Sequence, residues 1–368
     1  MKINKFIFPS IILAVLFFFI LDFLISNLFL KKYDDGCYEI EIYYYELKKN
    51  CSKKDQFKSS FPIVNVYTDE FGMRIGKNHL NKINKENILI FGDSFTFGVG
   101  LEYEETFVGV LQKKLTDFNF YNHAVGSYSP SVHYYRLKKT LSNTNIVPKK
   151  IIVFLDITDV YDEGNRWIYN DKNSTPLLKS NEWNEHLKKK NKFTKKNFKV
   201  SVFISSKINF YLRNNRGLKK NNLENIKNKI KKSFQGQFTY TNIKELNNIY
   251  WSEEIFNNGI LNIKKYMSLI SDIAKSKEIE FWVVIYPWAE TIEFGQKEFD
   301  WEKFGETLCD NSKCKLINTF PYFKDYVTQN INWSKDLYFV NDEHFNENGN
   351  MIIAKVLEHN LMKKKQSN

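Results

Sequence analysis

The chain has 368 residues, enough for two or three domains or for one large domain with insertions. Apolar residues make up 43% and charged residues 26%, and 54 Lys+Arg against 42 Asp+Glu give a net charge of +12. This composition excludes a wholly disordered chain and a polytopic membrane protein, and 15 glycines with 7 prolines exclude collagen-like or proline-rich architecture. The basic excess is clumped, in KKKNKFTKKNFK (188–199) and in a second run at 219–232. It reads as a solvated lysine face, so no nucleic acid is expected, while contact with anionic lipid or an acidic glycan stays open.

Residues 1–32 are expected to form an anchor. After Lys2 and Lys5 an apolar run extends from Phe6 to Leu30, long enough to cross a hydrocarbon core of ~30 Å as a helix. No small-x-small site follows it; LKKYDDG does, so the reading is an uncleaved single-pass transmembrane helix rather than a signal peptide. Asp22 breaks the run and is expected near an interface or against a partner helix. All four cysteines follow the anchor as two local pairs, Cys37 with Cys51 and Cys309 with Cys314. Neither pair has zinc-finger spacing, so no metal is expected. Two disulfides in an oxidising compartment fit better. They place the body outside the cytoplasm, on the periplasmic or exterior side of the cytoplasmic membrane.

Residues 33–85 form a lead-in, with CYEIEIYYYEL read as a strand, followed by VYTDEFGMRIG. From residue 86 to 163 the pattern alternates strand and helix. Strands are expected at 88–91, 118–125 and 150–157, and helices at 104–115 and 131–142. Residues 164–250 read as a Lys/Asn-rich, mostly helical insertion. Residues 251–368 resume the pattern with a helix at 260–277, strands at 280–288 and 315–320, and a last helix at about 350–364. Alternation of this kind predicts an α/β fold with a parallel sheet covered on both faces, and ligands at the carboxyl ends of its strands.

The strand ends carry the chemistry. Gly92-Asp93-Ser94-Phe95-Thr96-Phe97-Gly98 places a serine just past a buried strand and ahead of a helix, where its Oγ can be exposed and its N–H can support an oxyanion. Gly126, after the second strand, offers a second N–H toward the same crevice. Near the C-terminus Asp342 and His344 could supply an orienting carboxylate and a base from one loop. His123 and the acids Asp156, Asp159, Asp162 and Glu163 border these strand ends. The acids read as turn caps rather than a cation site. Trp251, Trp282 and Trp288 read as core rather than a carbohydrate platform.

In combination GDSFTFG, NHAVGSYS, a polar turn after the third strand and DEHFNENG resemble the SGNH (GDSL-type) hydrolase superfamily, over about residues 66–364 with the insertion excluded. The resemblance implies a flavodoxin-like three-layer α/β/α fold with about five parallel strands. It implies Ser94 as nucleophile, His344 as base, and the Ser94 and Gly126 N–H groups as part of an oxyanion hole. Two departures stand out. Thr158 occupies the position where the family carries an oxyanion Asn, just before Asp159. The carboxylate of the last block is Asp342, two before His344, where Asn341 takes the more usual place. The expectation is a membrane-anchored serine esterase acting on an acyl ester of an envelope glycan or lipid, without a cofactor. Its alternatives are an O-acyltransferase to a cell-envelope polysaccharide, served by a multi-pass membrane acyltransferase, and a silent SGNH fold used for glycan binding or assembly.

Overall fold

The computed structural model describes residues 7–29, 36–40, 44–57, 61–78, 84–170, 175–178, 197–198, 200–201, 204, 253–296, 299–310, 314–340 and 342–363. Two compact units divide the chain, residues 1–35 with 180–231 and residues 36–179 with 232–368.

In the first unit the apolar N-terminal run forms a helix, Ile7–Leu24, which loosens into a π turn over Ile25–Phe29. Its 18 residues rise about 27 Å, less than the expected full run would. Among the described residues no helix is long and apolar enough to cross a membrane. The helix loosens just after Asp22, which is buried and has found its partners within the chain. Its carboxylate accepts from Ser26 Oγ at 2.8 Å, from the backbone N–H of Val200 and Ser201 at 3.1 and 2.8 Å, and from Ser201 Oγ at 2.5 Å.

The second unit begins with a correction. The run expected as one strand is a hairpin of β1 (Tyr38–Ile40) and β2 (Tyr45–Leu47), paired antiparallel with Tyr38 opposite Leu47. The reason is covalent. Cys37 and Cys51 are disulfide-bonded with Cα atoms 5.7 Å apart, and a straight strand would carry the chain away from that closure. Cys309 and Cys314 form the other expected bond, with Cα atoms 4.8 Å apart. Three further lead-in strands follow, β3 (Ser52–Asp55), β4 (Val64–Thr68) and β5 (Arg74–Ile75).

The parallel strands are β6 (Glu86–Phe91), β7 (Phe118–Asn122), β8 (Pro148–Leu155), then, after the two strands β9 (Trp167–Asn170) and β10 (Thr175–Leu178), β11 (Glu280–Ile285) and β12 (Lys315–Asn318). They lie in the order β7-β6-β8-β11-β12, all parallel, which is the doubly wound order 2-1-3-4-5. The lead-in extends this sheet by the antiparallel strands β5, β4 and β3, so eight strands form one mostly parallel sheet. The central strands are near-continuous apolar runs because both faces are covered, and Ile88, Leu89, Ile90, Ile151, Ile152, Val153, Val283, Val284 and Ile285 are fully buried. The helix Phe107–Lys114 packs with the last helix, Glu347–Lys363, where Asn350 Oδ1 accepts from Phe107 N at 3.0 Å. The helix Pro130–Asn143 packs with Glu253–Ser276.

The insertion needs a second correction. Its start is the β9–β10 hairpin, a two-stranded sheet separate from the large one, rather than helix. Trp167 and Ile168 favour the pleated surface, and Trp167 is buried there. Apart from residues 197, 198, 200, 201 and 204, the stretch from 179 to 252 lies outside the described residues, and Trp251 with it. Trp282 is fully buried in the core, and Lys315 lies 4.2 Å above its ring.

The core also holds two buried histidines, His123 and His133. No ring nitrogen of either has a protein hydrogen-bond partner. Burial lowers the His133 pKa to about 3, and burial, then Arg136 and His133, lower that of His123 well below its ordinary value. The unfolded chain takes up the His133 proton near pH 6.5 and the folded chain only near pH 3, so this contribution to stability is complete above pH 6.5 and is lost as pH falls between the two. The difference in unfolding free energy between His133→Leu and the parent should therefore move in favour of the variant by about 1.4 kcal/mol per pH unit from pH 6 toward pH 4. Denaturant titrations at several pH values measure it; a pH-independent difference contradicts the buried neutral imidazole.

Candidate active site

Ser94 opens a one-turn helix, Ser94–Phe97, directly after β6. Asp93 is its N-cap, and its Oδ1 accepts from Phe95 N at 2.9 Å and from Tyr286 Oη at 3.0 Å. Gly92 allows the turn to fold back on the strand, since a Cβ there would stand 2.1 Å from Thr96 Oγ1. As the first helical residue, Ser94 has an N–H with no intrahelical acceptor. Its neighbours are buried while Ser94 itself is half-buried.

Arg74, inside the FGMRIG lead-in, holds this turn from behind. It is fully buried, with its guanidinium donating to the carbonyls of Phe97, Gly98 (2.8 Å) and Leu101 (2.5 Å) and lying 4.4 Å over the Phe97 ring. Burial lowers its pKa to about 10, still far above neutrality.

The loop after the last small helix, Trp333–Leu337, brings in the base. His344 Nε2 stands 2.7 Å from Ser94 Oγ, and His344 Nδ1 stands 2.5 Å from Asp342 Oδ1, which also accepts from His344 N at 3.1 Å. Asp342 and His344 are both buried. Asn341 lies outside the described residues. Ligand atoms of Asp342, Glu343 and His344 lie within 4.8 Å of one another. His344 Nδ1 and Asp342 Oδ1 are engaged with each other in a hydrogen bond. Phe57 and Phe95 flank the imidazole, with ring centroids 5.2 and 4.7 Å away.

Gly126 comes from the turn after β7, and a Cβ placed on it would lie 3.8 Å from Ser94 Cβ, so its backbone stands beside the nucleophile. Two aromatic donors from outside the parallel sheet hold that turn. Tyr45 Oη donates to Gly126 O at 2.7 Å, and Trp167 Nε1 donates to Ser127 O at 2.9 Å.

Thr158 borders the site but does not act as an oxyanion donor in this arrangement. Both its backbone N–H (2.8 Å) and its hydroxyl (2.5 Å) donate to Asp156 Oδ1. Asp156 Oδ2 accepts from Trp288 Nε1 at 2.6 Å. Asp159 does not line the cleft; its Oδ2 accepts from Asp156 N at 2.8 Å, which turns it behind the strand end. His123 is also removed from the site, since its ring stacks on Phe91 at 4.7 Å inside the core. Burial raises the pKa of Asp93, Asp156 and Asp159 above the ordinary carboxylate range; Asp156 adds to the rise at Asp93 and at Asp159.

These groups surround a cavity of about 100 Å³ whose lining includes Ser94, Ser127, Thr158, Arg166, Trp288 and His344. Asp162, read in the sequence as a turn cap, lines this cavity, and so does Arg166, which the sequence reading missed although Thr158, Asp162 and Arg166 recur every four residues, the spacing of one helical face.

No family model matches the chain, and no curated protein matches it. Solved structures do. TesA is 11% identical, with 75% of this chain and 98% of that one covered and a TM-score of 0.40. A lipolytic G-D-S-L family protein from Veillonella parvula is 12% identical, with 74% and 97% covered and a TM-score of 0.39. A catalytic mutant of Axe2, an acetylxylan esterase from Geobacillus stearothermophilus, is 12% identical, with 75% and 94% covered and a TM-score of 0.39. At such scores the likeness adds no weight to the geometry.

Two outcomes are expected. Ser94→Ala and His344→Ala should each abolish ester turnover to about the same extent, because they act as one unit, and Asp342→Asn should lower kcat on the order of 10²–10⁴-fold. Steady-state kinetics checks both, and a Ser94→Ala protein with parent-level turnover sinks the assignment. Arg74→Met should cost on the order of 3 kcal/mol, since it leaves buried carbonyls without a donor, and should lower kcat through the loosened turn. Thermal melts read alongside kcat measure this.

Proposed function

We propose that this chain is a serine esterase of SGNH type. The observation that carries the reading is the unbroken line Asp342–His344–Ser94, with separations of 2.5 and 2.7 Å. Ser94 Oγ attacks the ester carbonyl carbon as His344 Nε2 takes its proton. The Ser94 and Gly126 N–H groups face the developing oxyanion. His344 then protonates the leaving alcohol, and water or a sugar hydroxyl removes the acyl group by the reverse sequence. Asp342 holds Nδ1 protonated and stabilises the imidazolium. No step calls for a cofactor.

The cleft beside Ser94 is small, about 100 Å³, and a short acyl group such as acetyl is the substrate to test first. An acyl ester on an envelope glycan or lipid fits the apolar run from Phe6 to Leu30 as an inner-membrane anchor, with the two disulfides on its oxidising side. Transfer to a polysaccharide hydroxyl would use the same residues, with a multi-pass membrane acyltransferase supplying the acyl donor. The test is labelling of the purified chain with a fluorophosphonate serine probe, followed by hydrolysis of p-nitrophenyl acetate and butyrate. Labelling and turnover that vanish in Ser94→Ala are expected, with acetate preferred. A parent protein that neither labels nor turns over overturns the reading in favour of a silent binding module.

A further inference from the structure

The esterase reading assigns this site two backbone oxyanion donors, and at position 158 stands a threonine whose N–H and hydroxyl are both committed to Asp156. The electrostatic surroundings make this shortage costly. Asp93, Asp162 and Glu343 line the cleft, and Asp156 and Asp159 lie buried behind it. Burial and mutual repulsion push the Asp93 and Asp159 carboxyls well up, the signature of a region hostile to a further negative charge. A tetrahedral intermediate puts a full negative charge there, so a cation is called for. Among the described residues lining the cavity, Arg166 is the one permanently charged cation. It closes the π turn Asp162–Arg166, its Nε is 3.3 Å from Asp162 Oδ1, and its side chain is 23% exposed. π turns of this kind concentrate at functional sites.

We propose that Arg166 is the third oxyanion donor of this site, its guanidinium doing from the π turn what an amide at position 158 would otherwise do. The inference rests on the esterase reading. In the step concerned, Ser94 Oγ forms a bond to the carbonyl carbon. The C=O π pair moves onto oxygen, where Arg166 meets it, and the serine proton goes to His344 Nε2. When the pair returns, the C–O bond to the alcohol breaks and His344 gives that proton to the leaving oxygen. Asp162 positions the guanidinium and keeps the resting cleft from binding anions indiscriminately.

The experiment is kinetics on p-nitrophenyl acetate with the full chain. Arg166→Ala should lower kcat about 10²–10³-fold while KM changes little, because the interaction is made only in the transition state. Added guanidinium chloride at millimolar concentration should restore part of that kcat, and Thr158→Asn introduced into Arg166→Ala should restore more. If Arg166→Ala lacks a cooperative thermal transition, Arg166→Gln takes its place, with at least about a tenfold loss of kcat expected. A folded Arg166→Ala, or Arg166→Gln, with kcat within about threefold of the parent overturns the inference and leaves the esterase reading intact. So does a loss expressed in KM alone, or a loss that neither guanidinium nor Thr158→Asn relieves. A parent without fluorophosphonate labelling or turnover overturns both.

Discussion

Five parallel strands end along one edge of the sheet, and the site depends on that shared edge. Ser94 and His344 are 250 residues apart in sequence, and a flexible chain would pay heavily in loop-closure entropy to hold them 2.7 Å apart. The sheet removes that cost from the site itself. β6 and β8 are neighbours, and the chain leaves them on opposite sides of the order 2-1-3-4-5, which opens a crevice between their carboxyl ends. Ser94 follows β6 and Thr158 follows β8, so both face that crevice before any side chain makes a contact. The triad is then completed by one short loop, whose own Tyr338–Phe345 bridge fixes the approach of His344.

Carboxyl groups dominate the floor of this crevice, and Asp156 organises them. It sits at the end of β8, accepts from Thr158 twice and from Trp288 once, and so ties the third strand-end turn to the segment after β11. The same bonds that make this node rigid commit both donors of Thr158 to Asp156. Asp342 is placed differently. Its Oδ1 accepts from the backbone N–H of His344 and faces Nδ1 of the same imidazole, whose other nitrogen stands beside Ser94. Of these two buried acids, one faces the donors of its own turn and of Trp288, and the other faces the imidazole that stands beside Ser94.

Much of this was legible in the sequence. The strands at β6, β8 and β11 are short apolar runs bounded by turn residues; β6 ends in the Gly-Asp-Ser block, and the Asp-Glu-His block that the structure brings to it precedes the last helix. What the sequence hid were choices made between neighbours in space. Nothing in Asp-Ile-Thr-Asp says that Thr158 donates to Asp156 rather than to a substrate, because that depends on the turn's backbone. The alternation in CYEIEIYYYEL suits one strand or two, and the Cys37–Cys51 bond selects two. His123 stands three residues before the Gly126 turn, yet its ring turns inward onto Phe91, a packing decision with no local signal.

The lead-in has a larger part than its place ahead of the first parallel strand suggests. It contributes three strands to the sheet, but its more telling contacts are single side chains. Arg74 gathers three carbonyls of the Ser94 turn, Tyr45 holds the carbonyl of Gly126, and Phe57 lies against the His344 imidazole. Each acts on a different wall of the site. The disulfide that closes β1 against the chain at Cys51 therefore also fixes Tyr45, and through it the Gly126 peptide. A covalent constraint far from Ser94 in sequence thus helps to set how firmly the Gly126 peptide is held beside Ser94.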